Sequence, residues 1–416
     1  MKLKRVVITG IGALTPIGNN AVDFWTNLKA GVNGVALITR FDTTHFKTKF
    51  ACELKNFDIS QYLNEKEARR WDICSQYGLV ASTEAIQDAH LDLDNENRDR
   101  IGVIYGCGIG GIGSTSTGLF DHVNGGHIPH FNPFFIPKAL INMPASLIAI
   151  KHDLRGVNYA TVAACASAAY AISDAFHYIQ LGKADVIVAG GSEAGIGEAG
   201  IGGFNAMHAL STRNDNYQTA SRPFSVGRDG FVLGEGAGAL ILEDYEHAIQ
   251  RNAHIYAEII GVGASADAYH ISSPLSDGRG IQKAMLNAIE DGGLKPTDID
   301  HINTHGTATV QGDLAECVAI ETIFGDHAKD MIFNSVKSMI GHLMGASAAV
   351  ESIATILSLR DGIIPPTINL IERDPNIPDW NFCANQAVER EIHYALCNAF
   401  GFGGHNASLL FKKFEK

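Results

Sequence analysis

Cys165 stands in the segment Thr161-Val162-Ala163-Ala164-Cys165-Ala166-Ser167-Ala168-Ala169, among small residues and just where a helix is expected to begin. A sulfur there lies near unpaired N–H groups and the positive end of a helix dipole, which favours thiolate. The small neighbours leave room for a substrate carbonyl. A buried cysteine packing as a small hydrophobe fits the same segment. Two histidine segments bear on that choice. Asn303-Thr304-His305-Gly306-Thr307-Ala308-Thr309 puts His305 at the end of a strand, in a turn rich in hydroxyls. Lys337-Ser338-Met339-Ile340-Gly341-His342 puts His342 at a strand-to-helix passage before Gly345. A lone histidine is more often a structural hydrogen-bonding group. A strand-end cysteine and two strand-end histidines, set among small, glycine and hydroxyl residues, match the Cys–His logic of acyl transfer.

The glycine runs offer a different chemistry. Gly106-Cys107-Gly108-Ile109-Gly110-Gly111 follows an expected strand and fits a dinucleotide-binding spacing, as does Gly195-Ile196-Gly197-Glu198-Ala199-Gly200. Such a site needs a following helix and an acid about 20 residues on, closing a further strand. After Gly113 the chain runs Ser-Thr-Ser-Thr-Gly without a strand at the right distance. In a chain with 44 glycines such spacings arise by chance, and tight turns with close backbone packing explain them better.

The elements that must position these residues alternate short β-rich runs with helical stretches, an α/β pattern. Strands are expected at Arg5–Thr9, Ile101–Gly106, Asp185–Gly190, Tyr256–Gly261, Asp300–Thr304, Met331–Ser335 and Tyr394–Ala399. Helices are expected at Asp72–Ala89, Ser167–Leu181, Gly280–Asp291, Asp313–Phe324 and Ala346–Leu359. An internal echo runs between Val6-Val7-Ile8-Thr9-Gly10-Ile11-Gly12 and Ala257-Glu258-Ile259-Ile260-Gly261-Val262-Gly263, each a strand leading into Gly-x-Gly. A duplicated α/β unit joined near Gln250–Asn252 would explain it. The length of 416 residues exceeds a usual single core and agrees with two packed halves.

Composition narrows the classes. No apolar run approaches the roughly 20 residues that cross a bilayer, and the apolar piece after Arg5 is too short for a signal-peptide core. Seven cysteines with no CxxC pair argue against a disulfide framework or structural zinc and point to a reduced, cytoplasmic protein. The net charge of −13 argues against nucleic acid as the main partner, and an acidic partner would need a local basic patch.

With these segments in hand, the chain resembles the β-ketoacyl-[acyl-carrier-protein] synthases, nearest the synthase II type, from Arg5 to Lys413. Further matching stretches are Ser221-Arg222-Pro223-Phe224, Arg228–Gly238, Asp267-Ala268-Tyr269-His270, Pro365-Pro366-Thr367-Ile368-Asn369 and Asn398–Asn406. The resemblance implies a thiolase-like α/β fold of duplicated halves, 1–251 and 252–416, in five α-β-α-β-α layers, and a homodimer. It implies a decarboxylative Claisen condensation. Cys165 takes the acyl group from an acyl carrier protein, and malonyl carrier protein extends it by two carbons. It further implies an oxyanion hole from the backbone N–H groups of Cys165 and Phe402. His305 and His342 stabilise the enolate, and Lys337 supports them, unless Lys337 serves only a salt bridge with Glu351. Thr307 and Thr309 hold the pantetheine arm, Phe402 gates the acyl pocket, and Ile109 limits its depth. Lys66, Arg69 and Arg70 dock the carrier. No cofactor, metal, nucleic acid or membrane insertion is implied.

The sequence departs from the family's frequent choices at Ala308, Val310 and His405, and carries His127, His130 and His208 where basic residues are frequent. Three rival readings stand beside this one: a specialised polyketide-type ketosynthase with the same Cys-His-His site, a non-enzymatic chain-length partner, and a degradative thiolase. The second would lack the nucleophile. The third would need a second cysteine near the C-terminal glycine loop, where Cys397 is the candidate, on an expected core strand.

Overall fold

The computed structural model describes residues 3–415. The apolar, β-branched runs form ten strands of one large sheet: β1 (Val6–Leu14), β2 (Ile101–Gly106), β3 (Asn158–Thr161), β4 (Val186–Glu193), β5 (Gly236–Asp244), β6 (Ala257–Ala266), β7 (His301–Asn303), β8 (Ile332–Asn334), β9 (Tyr394–Gly401) and β10 (His405–Lys413). Their spatial order is β8-β7-β9-β10-β6-β1-β5-β4-β2-β3. Read outward from the centre, each half repeats one order: β1-β5-β4-β2-β3 and β6-β10-β9-β7-β8. Strand directions repeat too: β2 lies parallel to β3 and β4, as β7 does to β8 and β9, and the remaining pairs within each half are antiparallel. The halves meet where Val6, Val7 and Ile8 of β1 pair antiparallel with Ile259, Glu258 and Ala257 of β6.

The internal echo therefore marks the two central strands, and its glycines have a packing reason. Helix α1 (Ile73–Asp88) crosses β1, and helix α4 (Arg279–Asp291) crosses β6. A Cβ on Gly12 would come 2.0 Å from the Ala81 carbonyl of α1, and one on Gly263 the same 2.0 Å from the Ala284 carbonyl of α4. Both strands also skip register at the residue before the first glycine of the motif, Thr9 against β5 and Ile260 against β10. A bulge there bends the strand toward its helix.

Two helices fill the space between the halves: α3 (Ser167–Gln180) and α6 (Ser347–Asp361). Each packs on strands of both halves and on the other. Helix α6 is buried on every side from Ser347 to Leu359, and its small Ala and Ser residues allow that close approach. With α1 outside the first half and α4 outside the second, five layers result, as expected. One apolar cluster runs through both halves and includes Ile8, Ile172, Leu240, Ile353 and Leu409.

Expected and observed elements agree within a few residues wherever periodicity was strong. Four departures have physical reasons. Strand β5, not among the expected strands, opens in the glycine-rich run Gly234–Gly238, which masks its strand pattern. The short strand β3 carries half-exposed, polar-flanked residues and sits at the sheet margin. Strand β10 follows β9 after a turn of three glycine-rich residues and hides inside one long apolar region. The Ser-Thr-Ser-Thr-Gly run forms part of helix α2 (Ile112–Asn124), where Thr115 and Ser116 hydroxyls bond back to backbone carbonyls one turn earlier. Among the described residues no helix is long and apolar enough to cross a membrane.

The helix-on-glycine contact gives a direct test. Gly12→Ala and Gly263→Ala should each destabilise the chain by about 2–3 kcal/mol through overpacking against backbone. Urea unfolding should show similar losses for the two, since the contacts are equivalent; a neutral result for either would contradict that packing.

Candidate active site

The middle helices begin at the centre of the molecule, and each is preceded by the same sharp turn. Ala164 takes φ +48° before Cys165, and Met344 takes φ +47° before Gly345. Left-handed backbone at a non-glycine residue is strained and persists only where packing fixes it. The Ser167 hydroxyl fixes the first turn: it donates to the Ala164 carbonyl at 2.7 Å and accepts the Ala163 N–H at 2.9 Å. Cys165 is thereby held at the start of α3, as its sequence setting predicts.

His342 belongs to the second turn and reaches across to the first. Its Nε2 lies 2.9 Å from Cys165 Sγ, and its Nδ1 lies 2.9 Å from the Ser347 hydroxyl at the start of α6. The His305 ring stands edge-on to the His342 ring, 5.4 Å between centroids, with Phe400 on its other side at 5.5 Å. Phe231 packs edge-on against His342 at 5.2 Å. The three residues singled out in sequence are thus brought together, all buried, at the inner end of a cavity of about 400 Å³.

His305 is placed by a carboxylate that sequence inspection missed. The amides of His305 and Gly306 donate to the two oxygens of Glu316, each at 2.9 Å, and Asn398 Nδ2 donates to the same group at 3.2 Å. Glu316 lies on helix α5 (Val310–Phe324). Its partners are backbone amides eleven and ten residues back, a relation with no signature in residue type. The hydroxyls of Thr307 and Thr309 lie 3.0 Å apart on the cavity wall.

Burial dominates the electrostatics. It pushes the Cys165 thiol up to about 12, against the pull of Lys337 and of the backbone N–H groups of Phe402 and Cys165. It holds His305 and His342 well below the ordinary imidazole range, with Lys337 pushing the same way. Both directions favour a thiol beside a neutral imidazole. The helix terminus does pull the thiol toward thiolate, but desolvation raises it more than the terminus lowers it. Lys337 is itself fully buried and paired with Glu351. The salt bridge and an influence on the histidines thus coexist in one residue.

The C-terminal glycine loop closes the cavity. A Cβ on Gly401 would lie 2.5 Å from the Ala163 carbonyl and 3.1 Å from the Cys165 amide, so the loop passes directly over the Cys165 turn. Phe402 follows, half-buried, in an apolar cluster with Cys165, Ile109 and Met344. Cys397 lies on β9, buried, with its sulfur 3.8 Å from the Ser352 hydroxyl rather than in the loop. Lys66, Arg69 and Arg70 are exposed on and after the single helical turn Glu65–Ala68. Arg69 pairs with Glu65, and the Arg70 guanidinium lies 5.6 Å from the Phe134 ring. The run Gly106–Gly111 does lead into a helix, α2, but the Gly108 and Ile109 amides that would meet a phosphate already donate to Glu193.

Comparison with known proteins agrees with this geometry. The beta-ketoacyl synthase N-terminal domain matches residues 3–248, and the beta-ketoacyl synthase C-terminal domain matches residues 256–371. The 3-oxoacyl-[acyl-carrier-protein] synthase 2 of Staphylococcus aureus strain N315 is 47% identical over 412 residues, 99% of each chain. That of Vibrio harveyi is 44% identical over 414 residues, again 99% of each. A solved beta-ketoacyl synthase from Burkholderia phymatum STM815 superposes with TM-score 0.92 at 34% identity, covering 99% of this chain and 100% of the other. A type II polyketide ketosynthase solved in complex with its acyl-carrier protein superposes with TM-score 0.91 at 32% identity, covering 99% and 100%. The fold is thiolase-like, and the chain belongs to the β-ketoacyl synthase family of condensing acyltransferases.

Proposed function

We propose that this chain is a 3-oxoacyl-[acyl-carrier-protein] synthase that elongates fatty acyl chains by two carbons. The observation that carries the reading is the Cys165 sulfur 2.9 Å from His342 Nε2, with His305 beside them at the inner end of a cavity. The Cys165 sulfur attacks the acyl thioester; the new C–S bond replaces the old one, and the thiol proton leaves on the departing pantetheine sulfur. The amides of Cys165 and Phe402 receive the oxyanion. Malonyl thioester then loses carbon dioxide, and its enolate carbon attacks the acyl-Cys165 carbonyl, forming the C–C bond and expelling the Cys165 thiolate, which takes a proton from water to restore the thiol. Neutral histidines suit this step, since each can donate one N–H to the enolate oxygen without delivering a full proton. A Ser347 hydroxyl donating to Nδ1 would leave the His342 proton on Nε2, facing the reacting atoms. Lys337 supports the pair electrostatically, Thr307 and Thr309 hold the pantetheine arm, Phe402 gates the pocket and Ile109 bounds it. The polyketide alternative draws on neighbours at 32% identity, whereas the synthase 2 relatives stand at 44–47%, which favours fatty acyl substrates.

The same proposal covers organisation and partners. The chain divides into halves 1–251 and 252–416, a reading supported by the repeated strand order and by the β1–β6 pairing where the two repeats meet in the sheet. A second copy covers the apolar surface around α2, where Phe120, Ile128 and Ile136 are each more than half exposed, and the edge of β3 beside exposed Val162. An acyl carrier protein docks on Lys66, Arg69 and Arg70, with His127, His130 and His208 also exposed. A reduced, cytoplasmic setting suits seven buried thiols.

Three measurements test the reading. Intact-mass analysis after incubation with acyl carrier thioester should show an adduct on Cys165. Cys165→Ser should lose it and cut turnover roughly a thousandfold or more, while His305→Ala and His342→Ala should keep the adduct and lose roughly a hundredfold in condensation; an adduct on Cys397 would sink the assignment. Alkylation of Cys165 by iodoacetamide should rise about tenfold per pH unit from pH 7 to 9, because a thiol with a raised pKa gains thiolate throughout that range; a plateau near neutrality would mean a resting thiolate–imidazolium pair instead. Lys66→Glu combined with Arg69→Glu should raise KM for acyl carrier protein and flatten its salt dependence, with a small pantetheine thioester nearly unaffected. Equal loss with both substrates would reject that docking surface.

A further inference from the structure

The two central turns differ in what occupies them. At the first, Cys165 lines the cavity. At the second, the corresponding Gly345 amide donates to Glu193 Oε2 at 3.1 Å. The same oxygen accepts Gly108 N–H at 2.8 Å and Ile109 N–H at 3.2 Å, while Oε1 lies 3.2 Å from the Ile109 nitrogen and 3.6 Å from the Cys107 sulfur. Glu193 ends β4 and is fully buried. The backbone closes tightly around it: a Cβ on Gly108 or Gly345 would lie 2.7 or 2.8 Å from Oε2. Two segments far apart in sequence are thus tied to one carboxylate. One carries Ile109, in the apolar cluster with Cys165 and Phe402. The other joins His342 to Ser347, whose hydroxyl meets the His342 ring.

We propose that Glu193 is a positioning residue that holds the Ile109 floor of the acyl pocket and the His342–Ser347 turn in one fixed relation, so that primer fit and decarboxylation geometry are set together. The ionised carboxylate can accept all these donors at once. A protonated carboxyl, or a glutamine amide, turns one oxygen site into a donor facing other donors. The Oε1 contacts with the Ile109 N–H and Cys107 are then the ones lost, since Oε2 holds more partners, and Ile109 keeps only its 3.2 Å bond to Oε2. Burial raises Glu193 to about 7, opposed by its three amide donors. The clamp is complete above that pH and loosened below it. The titratable groups that face Glu193 are the thiols of Cys107, Cys74 on α1 and Cys165. Glu316 and Asp313, raised to about 7 and about 6, act on the His305 turn. Their effects, and those of the nucleophile, are common to every primer and cancel in a ratio of two primers.

The inference rests on Cys165 carrying the acyl chain, and the experiment separates the two. Acylation of Cys165 by butyryl- and dodecanoyl-pantetheine is followed by mass from pH 6 to 8.5. In the wild type the dodecanoyl-to-butyryl ratio of rates should change at least threefold, with a midpoint near 7. Glu193→Gln should hold the low-pH ratio at every pH and, because a neutral amide oxygen accepts the Gly345 N–H more weakly than a carboxylate does, slow decarboxylation of malonyl-pantetheine about three- to tenfold. Gly108→Ala, which displaces the carboxylate without changing it, should shift the ratio as well and stands in if Glu193→Gln fails to fold. A wild-type ratio that ignores pH, or a Glu193→Gln enzyme that keeps the midpoint, would overturn the tie to the pocket floor. An unchanged decarboxylation rate would overturn the tie to His342. Absence of any Cys165 adduct in the wild type would instead fail the underlying reading.

Discussion

The structure depends on bringing the N-termini of α3 and α6 together in the middle of the molecule. Each helix start leaves backbone N–H groups without intrahelical partners, and burying them demands that something accept them. The same left-handed residue precedes each start, Ala164 in one case and Met344 in the other. That turn points the next residue, Cys165 or Gly345, into the interface between the halves. The position of Cys165, the approach of His342 to it and the need for Glu193 all follow from this one arrangement. Duplication supplies two equivalent helix ends, and close packing of the halves makes them meet.

Meeting in the interior fixes the electrostatics. A water-exposed cysteine at a helix start would be lowered by the dipole, but here desolvation is larger and the thiol is raised. The histidines are held neutral for the same reason. Ionisable groups are nevertheless kept inside, Lys337 paired with Glu351 and Glu193 and Glu316 within cages of amides. Removing one partner of such a group leaves the other buried without compensation, which costs more than the pair contributes. These groups therefore read as fixing geometry rather than as adding net stability. Neutral donors, close to a fixed positive charge, are what an enolate requires, and the low dielectric strengthens their effect on a charge that develops there.

What was legible in the sequence divides along physical lines. Cys165, His305 and His342 were legible because reactive side chains at strand ends among small residues are unusual, and each announces itself by type. Helices α1, α3, α4, α5 and α6 were legible because helical spacing and terminal signals leave local marks. Glu193, Glu316 and Ser347 were not, because their work is done on backbone amides or a ring brought close only by the fold. A carboxylate that accepts main-chain N–H groups makes no demand on the type of its partner, so residue patterns carry no trace of the contact. Strand β3 was missed for a related reason: its half-exposed residues lack the apolar alternation of a core strand. The echo between β1 and β6 was legible as similarity, but its cause, two helix carbonyls each 2.0 Å from an added Cβ, belongs to the packing.

Duplication also explains why the halves cannot be equivalent at the centre. Two identical helix starts facing each other would offer two identical anion sites, and a single substrate carbonyl can use one. In this chain the first site keeps a cysteine and stays open to the cavity. The second carries glycine, which lets the Gly108 and Gly345 backbones approach, and is filled by the protein's own carboxylate. The filled site turns a helix end that would otherwise need a ligand into a structural joint. That joint binds the Ile109 backbone and the Gly345 backbone between His342 and Ser347. Symmetry thus places the two sites, and the residues that break it, Cys165 against Gly345 with Glu193 between the halves, assign one to chemistry and the other to holding that chemistry in register.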